Sequence, residues 1–190
     1  ETLGAFRIPV YEMQGFEADD LIGSLSLQAE AQGYASIIVS GDLDMLQLVS
    51  DHVTLMTTRM GVGATVMYDP ARIQERYGLV PGQMIDFKAL KGDTTDNIPG
   101  VAGVGDKTAA KLLQDFGSLP AVFERIDEVK PDKLREKLRD QQDDVLLWRQ
   151  LVTIDRHAPI TLDLSGGRLG EYDRAEVLRL FREYEFRTLV

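Results

Sequence analysis

Every stretch of the chain that favours extended backbone lies before residue 69, and everything after it is patterned for helices. The extended runs are residues 8–13, 34–40, 53–57 and 64–68. Between the first two, Leu21, Ile22, Leu25 and Ala29 recur at helical spacing from Ala18 until Gly33 stops the run. Residues 34–40 are apolar at alternate and intervening positions alike, the pattern of a strand covered on both faces. Residues 45–49 predict a short helix, and the runs on either side of "RMGVG" predict a hairpin. The order β-α-β-α-β is that of a doubly wound parallel sheet. Such sheets usually hold about four to six strands, so the sheet is short, as though its beginning were absent.

From Asp69 the punctuation changes. "DPARIQERYG" sets Asp69 as N-cap, Pro70 in the first turn and Gly78 just beyond the end. Further helices are predicted over 81–90 (closed by Gly92), 107–116, 120–126 and 131–151, with a last amphipathic helix in the tail 171–190. "LSGGRLG" at 164–170 reads as a linker. The expected architecture is α/β: a partial doubly wound sheet over residues 1–68, then an all-helical subdomain over 69–190.

Charge sharpens the question of function. The net charge of −10 argues at face value against nucleic acid, because phosphate contacts need lysine and arginine. The imbalance is local, however. Residues 1–100 hold 14 acids against 6 bases, and residues 101–190 hold 17 against 15. Acids gathered to hold cations would make the net charge misleading.

Three groups qualify. "SGDLD" places Asp42 and Asp44 at the carboxyl end of a strand, where open α/β sheets bind ligands. "GFEADD" places Glu17, Asp19 and Asp20 at a helix start. "KGDTTDNIPG" places Asp93 and Asp96 in a glycine-bounded loop. Each has an ordinary structural explanation: a capped turn, acids favoured by a helix dipole at roughly 0.3–1 kcal/mol each, and Asx-turns. Yet these seven are half of the acids in the first hundred residues, and Glu17 and Asp20 lie on one helix face, where like charges repel. No cysteine exists and neither histidine joins a group, so an all-oxygen donor set suits Mg2+ or Mn2+ rather than zinc. Two such ions are the usual device for in-line attack on a phosphodiester.

"GVAGVGDKTAAKLL" carries Gly100, Gly103 and Gly105 ahead of a helix. That spacing permits a tight turn with exposed amides at a helix N-terminus, an anion site. Lys107 and Lys111 lie four apart, away from the apolar stripe of Ala109, Leu112, Leu113 and Phe116. A plain helix–turn–helix corner with solvated lysines explains the same residues.

Taken together and in order, "GFEADD", "SGDLDMLQLVSD" and "GDTTDNIPGVAGVGDKTAAKLL" resemble the 5′ nuclease domains of bacterial DNA polymerases of type I and the wider flap endonuclease family. The resemblance runs from about Phe6 to the end of the chain. It implies a PIN or flap-endonuclease-like core followed by a helix–three-turn–helix element. Glu17, Asp19, Asp20, Asp42, Asp44, Asp93 and Asp96 would be metal-holding catalytic acids, serving two Mg2+ or Mn2+ ions. Asp42, Asp44, Asp93 and Asp96 would hold one ion, with the other three at or beside the second. Gly100, Gly103, Val104, Gly105, Lys107, Thr108 and Lys111 would grip a DNA backbone, with a K+ bound at the hairpin. The implied partner is flap, nicked or primer-bearing duplex DNA, with polymerase domains in the same parent chain. Relatives also carry an earlier strand with an aspartate ligand and a basic helical arch, which this sequence lacks. It therefore looks like the C-terminal part of a nuclease domain.

The expected function is a metal-dependent, structure-specific 5′ nuclease, a 5′–3′ exonuclease or flap endonuclease acting in replication and repair. The alternatives are a non-catalytic duplex-binding fragment and a small-molecule phosphotransfer protein. No apolar run of membrane-spanning length and no signal-peptide pattern occurs, so a bacterial cytoplasmic setting is expected, with no membrane partner. Three remaining features have plain readings. Trp148 belongs with Val145, Leu151 and Val152 in a helix core. His52 and His157 stand in loops with no metal role. "PDKLREKLRDQQDD" is a solvated helix face.

Overall fold

The computed structural model describes residues 1–58, 65–165, 168, 170, 172–186 and 188–189. In chain order the described elements are α1 (Thr2–Ala5), α2 (Ala18–Ala31), β1 (Ser36–Val39), a 3-10 helix (Leu43–Leu48), β2 (Val53–Thr58), β3 (Thr65–Tyr68), α3 (Pro70–Tyr77), a 3-10 turn (Pro81–Gln83) leading into α4 (Met84–Lys91), α5 (Asp106–Phe116), α6 (Leu119–Glu124), α7 (Asp132–Asp140), α8 (Gln142–Leu151) and α9 (Arg174–Glu183). The contacts separate two compact units. One comprises Glu1–Gln28 and Arg156–Val190, the other Ala29–Asp155.

The larger unit is built on a three-stranded sheet in the order β1-β2-β3. β1 runs parallel to β2 with Ile38 opposite Leu55. β2 runs antiparallel to β3 with Leu55 opposite Tyr68. Ile38, Leu55 and Tyr68 therefore share one face, and all three are buried. The other face departs from expectation: Ile37 and Val39 of β1 are 61% and 64% exposed, so β1 is covered on one side only. The pairing of β2 with β3 agrees with a hairpin, whose turn at 59–63 lies outside the described residues.

The helices follow their punctuation. The Asp69 carboxylate accepts from the Arg72 N–H at 2.7 Å, Pro70 opens α3, and Gly78 closes it at φ +68°. A cap of this kind contributes about 1 kcal/mol. The expected helix over 131–151 is instead two, broken at Gln141 (φ −106°, ψ 14°). The periodicity gave no stop because Leu138 and Val145, seven apart, are both buried as one continuous helix would have them. Trp148 is half-buried and Leu151 exposed, so only part of that expected core forms.

In the smaller unit residues 8–13 form no strand. A strand needs a hydrogen-bonding neighbour along its length, and Ile8 and Val10 remain exposed. Tyr11 ties the segment down by donating its hydroxyl to the Asp163 carbonyl at 2.9 Å. On α2, Ser24 Oγ accepts from the Ala158 N–H at 2.9 Å, and Gln28 brackets the Ile160 carbonyl (2.7 Å) and the Leu162 N–H (2.8 Å). The expected linker 164–170 falls partly outside the described residues. No described helix is long and apolar enough to cross a membrane.

Candidate metal centre

The chain leaves β1 through Ser40 and Gly41 into the 3-10 helix. Asp42 is its N-cap and accepts the Asp44 N–H at 2.8 Å. That bond turns the backbone sharply and sets the next carboxylate, Asp44, in the helix's first turn. Met45, Leu46 and Leu48 are buried and fix the helix to the sheet.

The second contribution comes from the end of α4. Gly92 (φ +82°) and Gly100 (φ +68°) flank a loop closed by an antiparallel bridge between Asp93 and Ile98, with N···O distances of 2.8 and 2.7 Å. A Cβ on Gly100 would meet the Gly92 nitrogen at 2.4 Å, and one on Gly92 would meet the Pro99 carbonyl oxygen at 2.6 Å. Only glycine permits this backbone approach. Within the loop, Asp93 accepts the Thr95 N–H at 2.8 Å and also the Thr95 hydroxyl.

These two pieces converge. Asp44, Asp93 and Asp96 each offer a carboxylate oxygen, and the three oxygens lie within 4.8 Å of one another. All three, with Gly41 and Asp42, line a cavity of about 550 Å³ whose wall includes Tyr77, Phe87 and Lys88. At their centre sits the Lys88 ammonium, on α4. It donates to Asp44 and to Asp96 (2.5 Å) and lies 3.4 Å from Asp93. Lys88 is 7% exposed, a position lysine occupies only when paired. Burial acts to lower its pKa, but the bonds and charges of Asp44, Asp96 and Asp93 outweigh burial and raise it. Burial pushes the Asp44 carboxyl up, opposed by Lys88. Asp93 is held down at about 2, first by the Thr95 hydroxyl bond, with Lys88 a lesser cause.

Glu17, Asp19 and Asp20 belong to the smaller unit, at the start of α2. The Glu17 N–H donates to Asp20 at 3.2 Å, and the Leu21 N–H to the Glu17 carbonyl at 3.3 Å. Asp20 thus caps the helix from inside, which gives one of the three acids a local structural task. Asp19 and Asp20 both engage in further interactions.

The glycine segment joins α4 to α5. Gly100 belongs to the acidic loop's closure. Gly103 (φ +83°) makes the turn, and Gly105 is the N-cap of α5 with no side chain capping it. Val104 is buried and donates its N–H to the Val101 carbonyl at 2.9 Å, anchoring the turn from within. Lys137 donates to the Ala102 carbonyl at 2.5 Å. On α5, Ala109, Leu112 and Leu113 are buried while Lys107 and Lys111 are exposed, and Lys111 pairs with Asp115 at 3.0 Å. Thr108 is half-buried at the same helix end.

Four residues of this region carried no signal in the sequence. Lys88 and Asp86 lie inside an apolar helix pattern. Asp86, 2% exposed, accepts the Leu119 N–H at 2.8 Å and Arg149 Nε at 2.6 Å, joining α4 to α6 and α8. Thr95 and Lys137 read as ordinary polar positions.

A small three-stranded α/β sheet with a group of three carboxylates gathered beyond it, followed by a run of helices, is the class that the fold and the site define. Two family models match in order: the N-terminal resolvase-like domain of 5′-3′ exonucleases over residues 1–78, and their C-terminal SAM fold over 79–175. The chain belongs to the 5′-3′ exonuclease family. It is 45% identical over 190 residues to DNA polymerase I of Bacillus caldotenax, covering 100% of this chain and 22% of the relative. To DNA polymerase I of Chloroflexus aurantiacus it is 46% identical over 189 residues, covering 98% of this chain and 20% of the relative. The chain thus spans about a fifth of the length of these relatives. Among solved structures, T5 5′-exonuclease with bound zinc is similar at TM-score 0.69 and 23% identity, over 77% of this chain and 53% of that one. The catalytic core of Rad2 in complex with a DNA substrate is similar at TM-score 0.62 and 22% identity, over 96% of this chain and 61% of that one. These likenesses establish the fold.

Proposed function

We propose that this chain is part of a divalent-metal-dependent, structure-specific 5′ nuclease that hydrolyses phosphodiesters of flap, nicked or primer-bearing duplex DNA or RNA. It would act in the bacterial cytoplasm alongside polymerase domains of a longer protein. The observation that carries the reading is the convergence of Asp44, Asp93 and Asp96 from two separate segments onto one cavity. Lys88 offsets only one of the three negative charges, so the group still attracts a cation, and an oxygen-only set fits hard ions such as Mg2+ or Mn2+. Asp42 orients Asp44 and lines the same cavity. Glu17, Asp19 and Asp20 are proposed for a second ion. When bound, such ions polarise the phosphodiester and lower the pKa of water.

The chain's own residues do the rest. Thr95 keeps Asp93 ionised, Gly92 and Gly100 hold the loop closed, and Asp42 fixes the turn that presents Asp44. On the proposed DNA side, the backbone at Gly103 and Gly105, with Lys107, Thr108 and Lys111, faces the backbone of the duplex, Val104 anchors that turn from within, and a K+ at the hairpin belongs to the same reading.

The test is cleavage of a labelled 5′-flap duplex with Mn2+ by the chain and by Asp44→Asn. Release of a 5′ product by the first and not by the second supports the proposal. Duplex binding without cleavage, unchanged when the chain is extended at its N-terminus, favours a purely DNA-binding role. Absence of both overturns the proposal.

A further inference from the structure

We propose that the Lys88 ammonium is a built-in stand-in for a divalent ion: it holds Asp44, Asp93 and Asp96 together in the metal-free protein, and a divalent ion takes those carboxylates only by displacing it. The inference rests on the preceding reading that these three acids hold metal.

The geometry is specific. Lys88 Nζ touches Asp44 and Asp96 and lies 3.4 Å from Asp93, so it occupies the point on which the three carboxylates converge. An ammonium has three donors and no acceptor, and three acceptors surround it here. Its charge leaves two of the three negative charges uncompensated, so the site still attracts a cation. A second cation on the same oxygens would meet the ammonium at contact distance, where like charges repel strongly in a partly desolvated site. The four-carbon stem gives the head group freedom to leave while α4 stays packed. Lys88 therefore sets a threshold: an ion must hold three carboxylates better than a resident ammonium does. A small divalent ion can do so, whereas a monovalent ion brings no more charge than the group it would replace.

An ordinary stabilising salt bridge makes the opposite prediction for metal. If Lys88 only held the acids in place, removing it would disorder them and weaken metal binding. If it stands in for the ion, removing it lowers metal-free stability and strengthens metal binding.

The experiment measures Mn2+ affinity by calorimetry, and melting temperature without metal, for the whole chain and for Lys88→Met, Lys88→Arg and Asp44→Asn. Lys88→Met is expected to melt lower without metal and to bind Mn2+ roughly ten-fold or more tightly than the parent, from loss of one opposing charge at contact. Lys88→Arg, which keeps the charge, should bind Mn2+ no more tightly than the parent. Mn2+ binding that needs Asp44 but is equal or weaker in Lys88→Met overturns the exchange alone. Mn2+ binding unaffected by Asp44→Asn overturns the metal reading beneath it as well. Should Lys88→Met fail to fold, the parent decides: in a Mg2+ titration followed by lysine ε-13C NMR, one buried lysine signal must move toward the exposed-lysine position. A signal unmoved at saturating Mg2+ overturns the proposal.

Discussion

Replacing Gly100 with alanine tests whether this glycine serves the acidic loop before it serves DNA. Gly100 has φ +68°, and an L-residue there costs about 1–2 kcal/mol. The added Cβ would lie 2.4 Å from the Gly92 nitrogen, 2.5 Å from the Lys91 carbonyl carbon and 2.6 Å from its oxygen. All three are backbone atoms, so no side-chain rotation relieves the clash, and overpacking of this kind costs typically about 1–3 kcal/mol. The total is about 2–5 kcal/mol, or roughly 4–20 °C in melting temperature at about 2–4 °C per kcal/mol for a chain this size. The strain falls on the bridge between Asp93 and Ile98, so the carboxylates of Asp93 and Asp96 should separate and Mn2+ binding should weaken. Thermal melting followed by circular dichroism, with and without Mn2+, measures both effects. A metal-free melting temperature within about 1 °C of the parent, in the range of a surface change, would refute the reasoning.

Three further outcomes follow from neighbouring geometry. Gly105→Ala should cost no more than about 1 kcal/mol, the N-cap preference for glycine over alanine, because its φ is −109° and nothing lies within 4 Å of a Cβ there, while duplex affinity measured by anisotropy falls if the backbone at this helix start meets phosphates. Asp86→Ala should cost about 3 kcal/mol in urea unfolding, since it orphans the buried Leu119 N–H, worth about 1–3 kcal/mol, and removes the bond from Arg149; a cost below about 1 kcal/mol would show that this carboxylate is not structural. Asp93 is depressed from an ordinary value of 3.8 to about 2, so its ionised form contributes stability that is complete above the unfolded value and lost as pH falls toward 2. Thr95→Ala removes the largest cause and should raise the Asp93 midpoint and move acid unfolding to higher pH; a carboxyl 13C midpoint unchanged by the substitution would contradict that assignment.

The local sequence determined what local physics can determine. Asp69, Pro70 and Gly78 mark α3 because capping and proline or glycine backbone preferences act within a few residues. The apolar period of Ala109, Leu112 and Leu113 marks the buried face of α5 for the same reason. Asp42, Asp44, Asp93 and Asp96 were legible as candidates because their residue type and spacing carry their chemistry. Tertiary structure decided matters of partnership across distance. Residues 8–13 have strand-like composition but, among the described residues, no strand to pair with. Ile37 and Val39 are apolar, yet among the described residues no layer covers them. Above all, nothing in "IDFKALKGD" says that Lys88 turns inward to meet Asp44, which lies 44 residues earlier. Charges attract through space rather than along the chain, so the cation at the centre of these acids became visible only once the fold had brought both segments to one cavity.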